Sequence, residues 1–228
     1  MSLPPDGCES AWTNGPETIG VYHLGLDKNL RDRLDDLNAV RDYYRTIFAK
    51  DGIGLIECNL IEIEGVRAAQ AIGKIILPQE GAAYAGTVAV PMPRESYVFN
   101  TLAREIGVTG LRETIVMLKL SKDLETQGYV LHTPVAEPPG SSREAAPHPI
   151  FWKNAATGEI QRWCQDPYDP DYNGPCLRNL ADAPEFDEKL PDHPLSRVRA
   201  TLRELVQDLR FSPSLKNRSQ PKGGWRFW

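Results

Sequence analysis

Residues 53–116 carry four strand-like apolar runs in close succession and then a helical one, separated only by short turn sequences. Strands this close along a chain pair with their neighbours as hairpins, so the block must build a sheet with a helix laid beside it. In 53–64, Ile56, Cys58 and Leu60 fall on one parity and Ile61 and Ile63 on the other. A β-bulge near Leu60 or Ile61 reconciles the two phases by holding both sets on one core face. Glu64-Gly65 gives a tight hairpin into 66–77, and the runs 82–90 and 96–105 flank the turn Pro91-Met92-Pro93. Tyr97, Val98, Phe99 and Leu102 place apolar groups on both faces of the last run, as in a strand covered from two sides. Thr109 stands where a cap for the following helix belongs, with Leu111, Ile115 and Leu118 marking its buried side. The block contains no cluster of groups able to do chemistry, so it reads as scaffold.

Residues 1–20, with Pro4, Pro5, Gly7, Gly15 and Pro16, read as irregular, and 21–24 as a short strand. Asp27 then caps a helix in which Leu30, Leu34, Leu37, Tyr44, Ile47 and Phe48 recur near the helical period up to Lys50. After the block, 135–149 is a proline-rich exposed loop, and 150–162 reads as a short hairpin turning at Thr157-Gly158. The final helix starts with Pro194 at its first position behind Asp192 or His193 as cap. Leu195, Val198, Leu202, Leu205 and Leu209 form its buried stripe, with Arg197, Arg199, Arg203 and Glu204 on the wet side. The expected organisation is an irregular segment 1–20, one domain 21–211 with a loop-rich insertion 133–192, and a tail 212–228.

A chain of 228 residues is long enough for one domain with elaborations. With 26 Lys plus Arg against 31 Asp plus Glu, the net charge of −5 argues against nucleic acid as the main partner, because binding phosphates needs a basic surface. No stretch of 1–20 resembles a secretory signal and no apolar run approaches the roughly 20 residues that span a bilayer. No membrane association and a cytoplasmic location are therefore expected. Cys8, Cys58, Cys164 and Cys176 form no C-x-x-C pair and read as free thiols; for Cys164 and Cys176, in a loop-rich region, a disulfide or half of a metal site are the alternatives, with no second pair to support either.

The motif closest to a chemical site is Asp169-Pro170-Asp171-Tyr172-Asn173-Gly174. Asp169, Asp171 and Asn173 sit at positions 1, 3 and 5 with glycine at 6, the front half of an EF-hand calcium loop. Position 12, where the bidentate glutamate belongs, is Leu180, which favours a loop of Asx turns. Around it, residues 164–192 hold Asp166, Asp169, Asp171, Asp182, Glu185, Asp187, Glu188 and Asp192 against Arg178 and Lys189 alone. Such a run is either a solvated face or an acidic surface for a basic partner, with Tyr168, Tyr172 and Phe186 as apolar anchors beside Asp187. Trp225, Phe227 and Trp228, on a stem carrying Lys216, Arg218, Lys222 and Arg226, read as a docking peptide or a disordered end. His23, His132, His148 and His193 show no zinc-binding spacing, and His193 beside Pro194 reads as a helix cap. Nucleophile-elbow, phosphate-loop and dinucleotide patterns are absent from the sequence. Glu105, Arg112 and Glu113 border the turn into a helix and read as a structural ion-pair cluster.

Tyr84-Ala85-Gly86-Thr87, Ser96-Tyr97-Val98, the run 105–113 (Glu-Ile-Gly-Val-Thr-Gly-Leu-Arg-Glu) and the run 192–199 (Asp-His-Pro-Leu-Ser-Arg-Val-Arg) resemble a group of uncharacterised bacterial proteins. The order helix, hairpins, strand, helix is similar to the Mog1/PsbP-like fold. That resemblance implies an α+β class, an antiparallel β-sheet flanked by helices as an α/β/α sandwich, here with a Pro-rich, acidic, loop-rich insertion before the C-terminal helix. It also implies a non-enzymatic binding role without a cofactor: an adaptor, effector chaperone or immunity-type protein whose partner is another protein, such as a toxin or secreted effector. The alternative from the residues is a calcium or small-molecule site in 169–174.

Overall fold

The computed structural model describes residues 8–14, 17–78, 80–133, 150–172, 174, 178–213 and 215. It is an α+β protein with a six-stranded antiparallel sheet and a separate three-stranded one. The large sheet comprises β1 (Cys8–Asn14), β2 (Glu17–Gly25), β3 (Gly54–Ile63), β4 (Val66–Leu77), β5 (Gly81–Pro91) and β6 (Glu95–Arg104), in the order β1-β2-β6-β5-β4-β3. β3 to β6 form consecutive hairpins, as their spacing requires, and β2 adds to the free side of β6 with Val21 opposite Phe99.

The N-terminal segment corrects the expectation of irregularity. Both β1 and β2 are strands, with Trp12 opposite Ile19 and Ala11 opposite Gly20. Pro4, Pro5, Gly7, Gly15 and Pro16 lie outside the described residues, and the backbone of β2 completes a ladder that β6 would otherwise leave open. The helix expected from Asp27 to Lys50 is divided into α1 (Lys28–Arg31) and α2 (Leu37–Lys50). Asp27 caps the first by accepting from the Leu30 amide, and Asp36 caps the second by accepting from Asn38 and Ala39.

The sheet is buried on both faces. Leu30, Leu34, Val40 and Tyr44 pack with Leu55, Cys58, Ala69, Ala71 and Ala89 on one side. On the other, α4 (Pro194–Asp208) lays Leu195, Val198 and Leu202 on Ile56, Ile72, Tyr84, Val88 and Phe99. Gly86 makes this approach possible: a Cβ there would lie 2.7 Å from Val198 and 2.8 Å from Leu202. Two cores also account for the two parities of β3. Cys58 and Leu60 face α2 while Ile61 and Ile63 face α4, so no bulge is needed at Leu60; the register shift falls between Leu55 and Glu57.

A third core holds the segment between β6 and α4. α3 (Leu111–Thr126) packs Val116, with Leu120 and Leu124, against Trp152, Trp163, Ala181 and Phe186. The small sheet is β7 (Tyr129–His132), β8 (Phe151–Asn154) and β9 (Ile160–Arg162), and the 150–162 hairpin turns at Thr157-Gly158 as its sequence demands. Two short 3-10 turns, Leu180–Asp182 and Pro184–Phe186, lead into α4. The proline-rich stretch 135–149 lies outside the described residues, as does nearly all of the tail. Within them, no helix is long and apolar enough to cross a membrane.

Candidate functional site

The junction of β4, α3, α4 and the two 3-10 turns holds an interior charge network. Lys74 points from the middle of β4 to Asp182 (Nζ to Oδ1, 3.3 Å) and Glu113 (2.9 Å). Burial alone would depress the lysine, but the two carboxylates outweigh it and hold the ammonium above its ordinary range. Burial likewise would raise Glu113, yet Lys74 holds it below the usual carboxylate range. Tyr84 donates toward Asp182 at 3.4 Å.

Arg112, fully buried, donates to four acceptors: the carbonyls of Ala181 (2.6 Å) and Ala183 (2.9 Å), the Ser196 hydroxyl (2.7 Å) and Asp187 (2.8 Å). Arg199 bonds Asp187 (2.8 Å), Glu57 (2.8 Å through Nε) and the Asp182 carbonyl. Arg199 therefore corrects the expectation of a wet-side residue. It is in phase with Leu195 and Leu202, and the segment 180–187 supplies the acceptors that make its burial tolerable.

This network sets the rotation of α3. Because one residue turns a helix by about 100°, placing Arg112 and Val116 inward puts Leu111, Ile115 and Leu118 outward. They were expected to be buried; they are instead exposed, together with Ile106 and Val108 of the preceding loop, at 44–75% each. The helix start also differs. Gly110, at φ 68°, is the cap residue rather than Thr109, and Glu105 accepts from its amide (2.9 Å) and from that of Ala82 (2.8 Å). A left-handed residue at that point favours glycine.

Beside the stripe lies a cleft of about 360 Å³ lined by Ile106, Val108, Leu111, Leu190, Pro191 and Pro194, with Arg104, Lys189, Arg197 and Asp192 among its charged groups. His193 and Glu105 stand at its inner wall, and with Glu113 they bring ligand atoms within 4.8 Å of one another. The donor set does not suit a metal. His193 caps α4 by accepting the Leu195 amide at Nδ1 (3.2 Å), which places the imidazole proton on Nε2 and leaves no lone pair there. Both Glu105 oxygens already accept backbone amides.

The His193 side chain is only 8% exposed, and burial with the nearby Arg112 charge lowers its pKa from 6.5 to about 4. The folded state therefore binds this proton less readily than the unfolded chain. The associated stability is complete above pH 6.5 and is lost as pH falls from 6.5 to about 4. The loss should reach up to about 3 kcal/mol. Urea unfolding between pH 7.5 and 4.5 measures it, and His193→Asn, which retains a capping side chain, should flatten the profile.

The residues singled out in the sequence are distributed differently. Tyr168 is bound at the β3 edge, where its hydroxyl accepts from the Cys58 amide (2.9 Å) and Arg41 stacks on its ring (3.8 Å). Tyr172 lies under Arg45, 5.2 Å from the guanidinium. Phe186 is buried in the third core and Asp187 joins the network, so neither is a surface anchor. Asp166 is buried against Arg45 (2.9 Å), and Asp182 faces Lys74. Three of the eight acidic residues of the run, Asp166, Asp182 and Asp187, thus neutralise interior cations, while Asp171, Glu185, Glu188 and Asp192 remain on the outside. Asp166 accepts the amides of Tyr168 and Asp169, and Asp169 accepts that of Asp171, which makes the loop a chain of Asx turns. Among the described residues no imidazole, thiol or further carboxylate completes a ligand set with Asp169 and Asp171. Asn173, Cys176, Trp225, Phe227 and Trp228 lie outside the described residues, while Cys58 and Cys164 are free thiols.

Lys74, Asp182 and Arg199 were not recognisable as site residues from composition alone. A lysine between Ile72 and Ile75, and an arginine in phase with Leu195 and Leu202, were the available signals. Compared with known proteins, the chain matches no family model and no curated protein.

Proposed function

We propose that this is a non-enzymatic binding protein of the adaptor, chaperone or immunity type, which captures another protein on the outer face of α3 and the cleft beside it. The observation that carries the reading is the stripe formed by Ile106, Val108, Leu111, Ile115 and Leu118, held outward by the network on the opposite side of the helix. Contiguous large aliphatic side chains left in water beside a concave surface favour a partner that covers them. Leu111, Ile115 and Leu118 have the i, i+4, i+7 spacing by which two helices engage. The order of elements that is similar to the Mog1/PsbP-like group supports the same kind of role by analogy only.

The test is capture from a lysate of the source organism by the immobilised full chain, compared with Leu118→Asp. One stoichiometric partner retained by the native chain and lost by the variant is expected. An identical set of proteins on both columns would sink the proposal.

A further inference from the structure

The two edges of the large sheet are finished differently. β3 is guarded: the Tyr168 hydroxyl accepts the Cys58 amide (2.9 Å), and Arg41 donates to the Cys58 carbonyl (3.4 Å). β1, at the opposite edge, pairs with β2 alone, and Glu9 to Thr13 are all exposed. The register shift between Cys8 and Ser10 leaves 10–14 as its regular stretch, which holds no charged residue and no proline, the usual means of blunting an edge. The pairing fixes where the backbone groups of β1 point, because antiparallel partners alternate between bonded and non-bonded pairs. The Met92 amide bonds the Glu95 carbonyl (2.7 Å), so Val90–Tyr97 and Val88–Phe99 are the bonded pairs of β5 and β6. Asn100–Gly20 is then a bonded pair of β6 and β2, and Ile19–Trp12 one of β2 and β1. Ala11 and Thr13 therefore aim their amides and carbonyls outward, where they meet no partner among the described residues. Trp12, on the same face as Ile19, is 57% exposed.

We infer that a second copy of this chain adds to β1, antiparallel about a two-fold axis at Trp12, and joins two six-stranded sheets edge to edge. In that register Ala11 of each copy exchanges backbone hydrogen bonds with Thr13 of the other, which uses the outward groups of both residues. Trp12 meets Trp12 of the second copy at a non-hydrogen-bonded site, where Cα atoms approach to about 4.5 Å and aromatic side chains pair closely. Glu9 falls outside the paired residues and lies 3.2 Å from His23 of its own chain, so no like charges stand opposite one another. The strand's own copy thus supplies both an uncharged edge and an apolar mate for Trp12. None of these residues belongs to the α3 face, and the two surfaces are tested separately.

Sedimentation velocity of the full chain from about 2 to 200 µM should show a reversible monomer–dimer equilibrium, as a small strand-edge interface allows. Ala11→Pro removes an outward N–H while sparing the bonds to β2, and Trp12→Lys sets two ammonium groups face to face. Each should raise the dissociation constant at least about tenfold with circular dichroism unchanged. Hydrogen–deuterium exchange of the Ala11 and Thr13 amides should slow with concentration, while that of Trp12, already bonded to β2, should not. Leu118→Asp should leave the dimer intact. A chain still monomeric at about 200 µM would overturn the inference, as would a dimer that either β1 variant leaves unweakened. A dimer lost through Leu118→Asp alone would overturn it by placing the second copy on α3. Protection of Ala11 and Thr13 only in the presence of the protein captured from the lysate would also overturn it, assigning this edge to a strand of that partner.

Discussion

Asp182→Ala lowers the free energy of unfolding by about 3–5 kcal/mol, the cost of leaving a buried cation without its partner. Asp182 is fully buried and serves three donors at once: Lys74, Tyr84 and the Asn179 amide, the last at 2.9 Å. Removing it leaves the Lys74 ammonium with Glu113 alone and strands a buried phenol and a backbone N–H. The double variant Lys74→Met with Asp182→Leu should recover more than half of the loss, because an apolar pair in the same volume avoids the uncompensated charge. Glu113, whose side chain is 23% exposed, then turns to solvent. Urea titration of the three proteins decides the point. A single variant within about 1 kcal/mol of the native chain would mean that Lys74 finds other compensation.

Once a partner is in hand, Ile115→Asp combined with Leu118→Asp should weaken its binding by at least about a hundredfold, or roughly 3 kcal/mol. Each aliphatic side chain buried at the centre of an interface is worth about 1.5–3 kcal/mol, and each new carboxylate must also be desolvated. Both positions face water in the free chain, so the melting temperature should hold while affinity falls. Calorimetry against the purified partner separates the two effects. Unchanged affinity would place the contact elsewhere on the molecule.

The scaffold was legible because its signals are local. The four strands, the Asp27 cap, Pro194 with the His193 cap and the Thr157-Gly158 turn are each decided by a few neighbouring residues. The site was not, because its logic is carried by pairs distant in sequence. Lys74 needs Asp182, and Arg199 needs Glu57 and Asp187. Without those partners, the run 164–192 reads as a solvated acidic face and α3 offers two candidate stripes, one through Leu111, Ile115 and Leu118 and one through Arg112, Val116, Leu120 and Leu124. Each stripe holds three apolar residues, and the arginine heading the second makes the first read as buried. The acceptors offered to Arg112 by Ala181, Ala183, Asp187 and Ser196 select the second. The same long-range pairing explains why Phe186 and Asp187 turn inward. The loop-first expectation for 8–14 failed for a related reason: β1 needs β2, and β2 needs the open side of β6.

Hydrogen–deuterium exchange of the chain with and without its captured partner tests the docking face most directly. Protection is expected across the loop and helix from Ile106 to Lys119 and on the cleft wall from Lys189 to His193, with the Asx-turn loop around Asp169 unchanged. Protection confined to the Asp169 loop or to β1, with Ile106 to Lys119 exchanging as in the free chain, would contradict it.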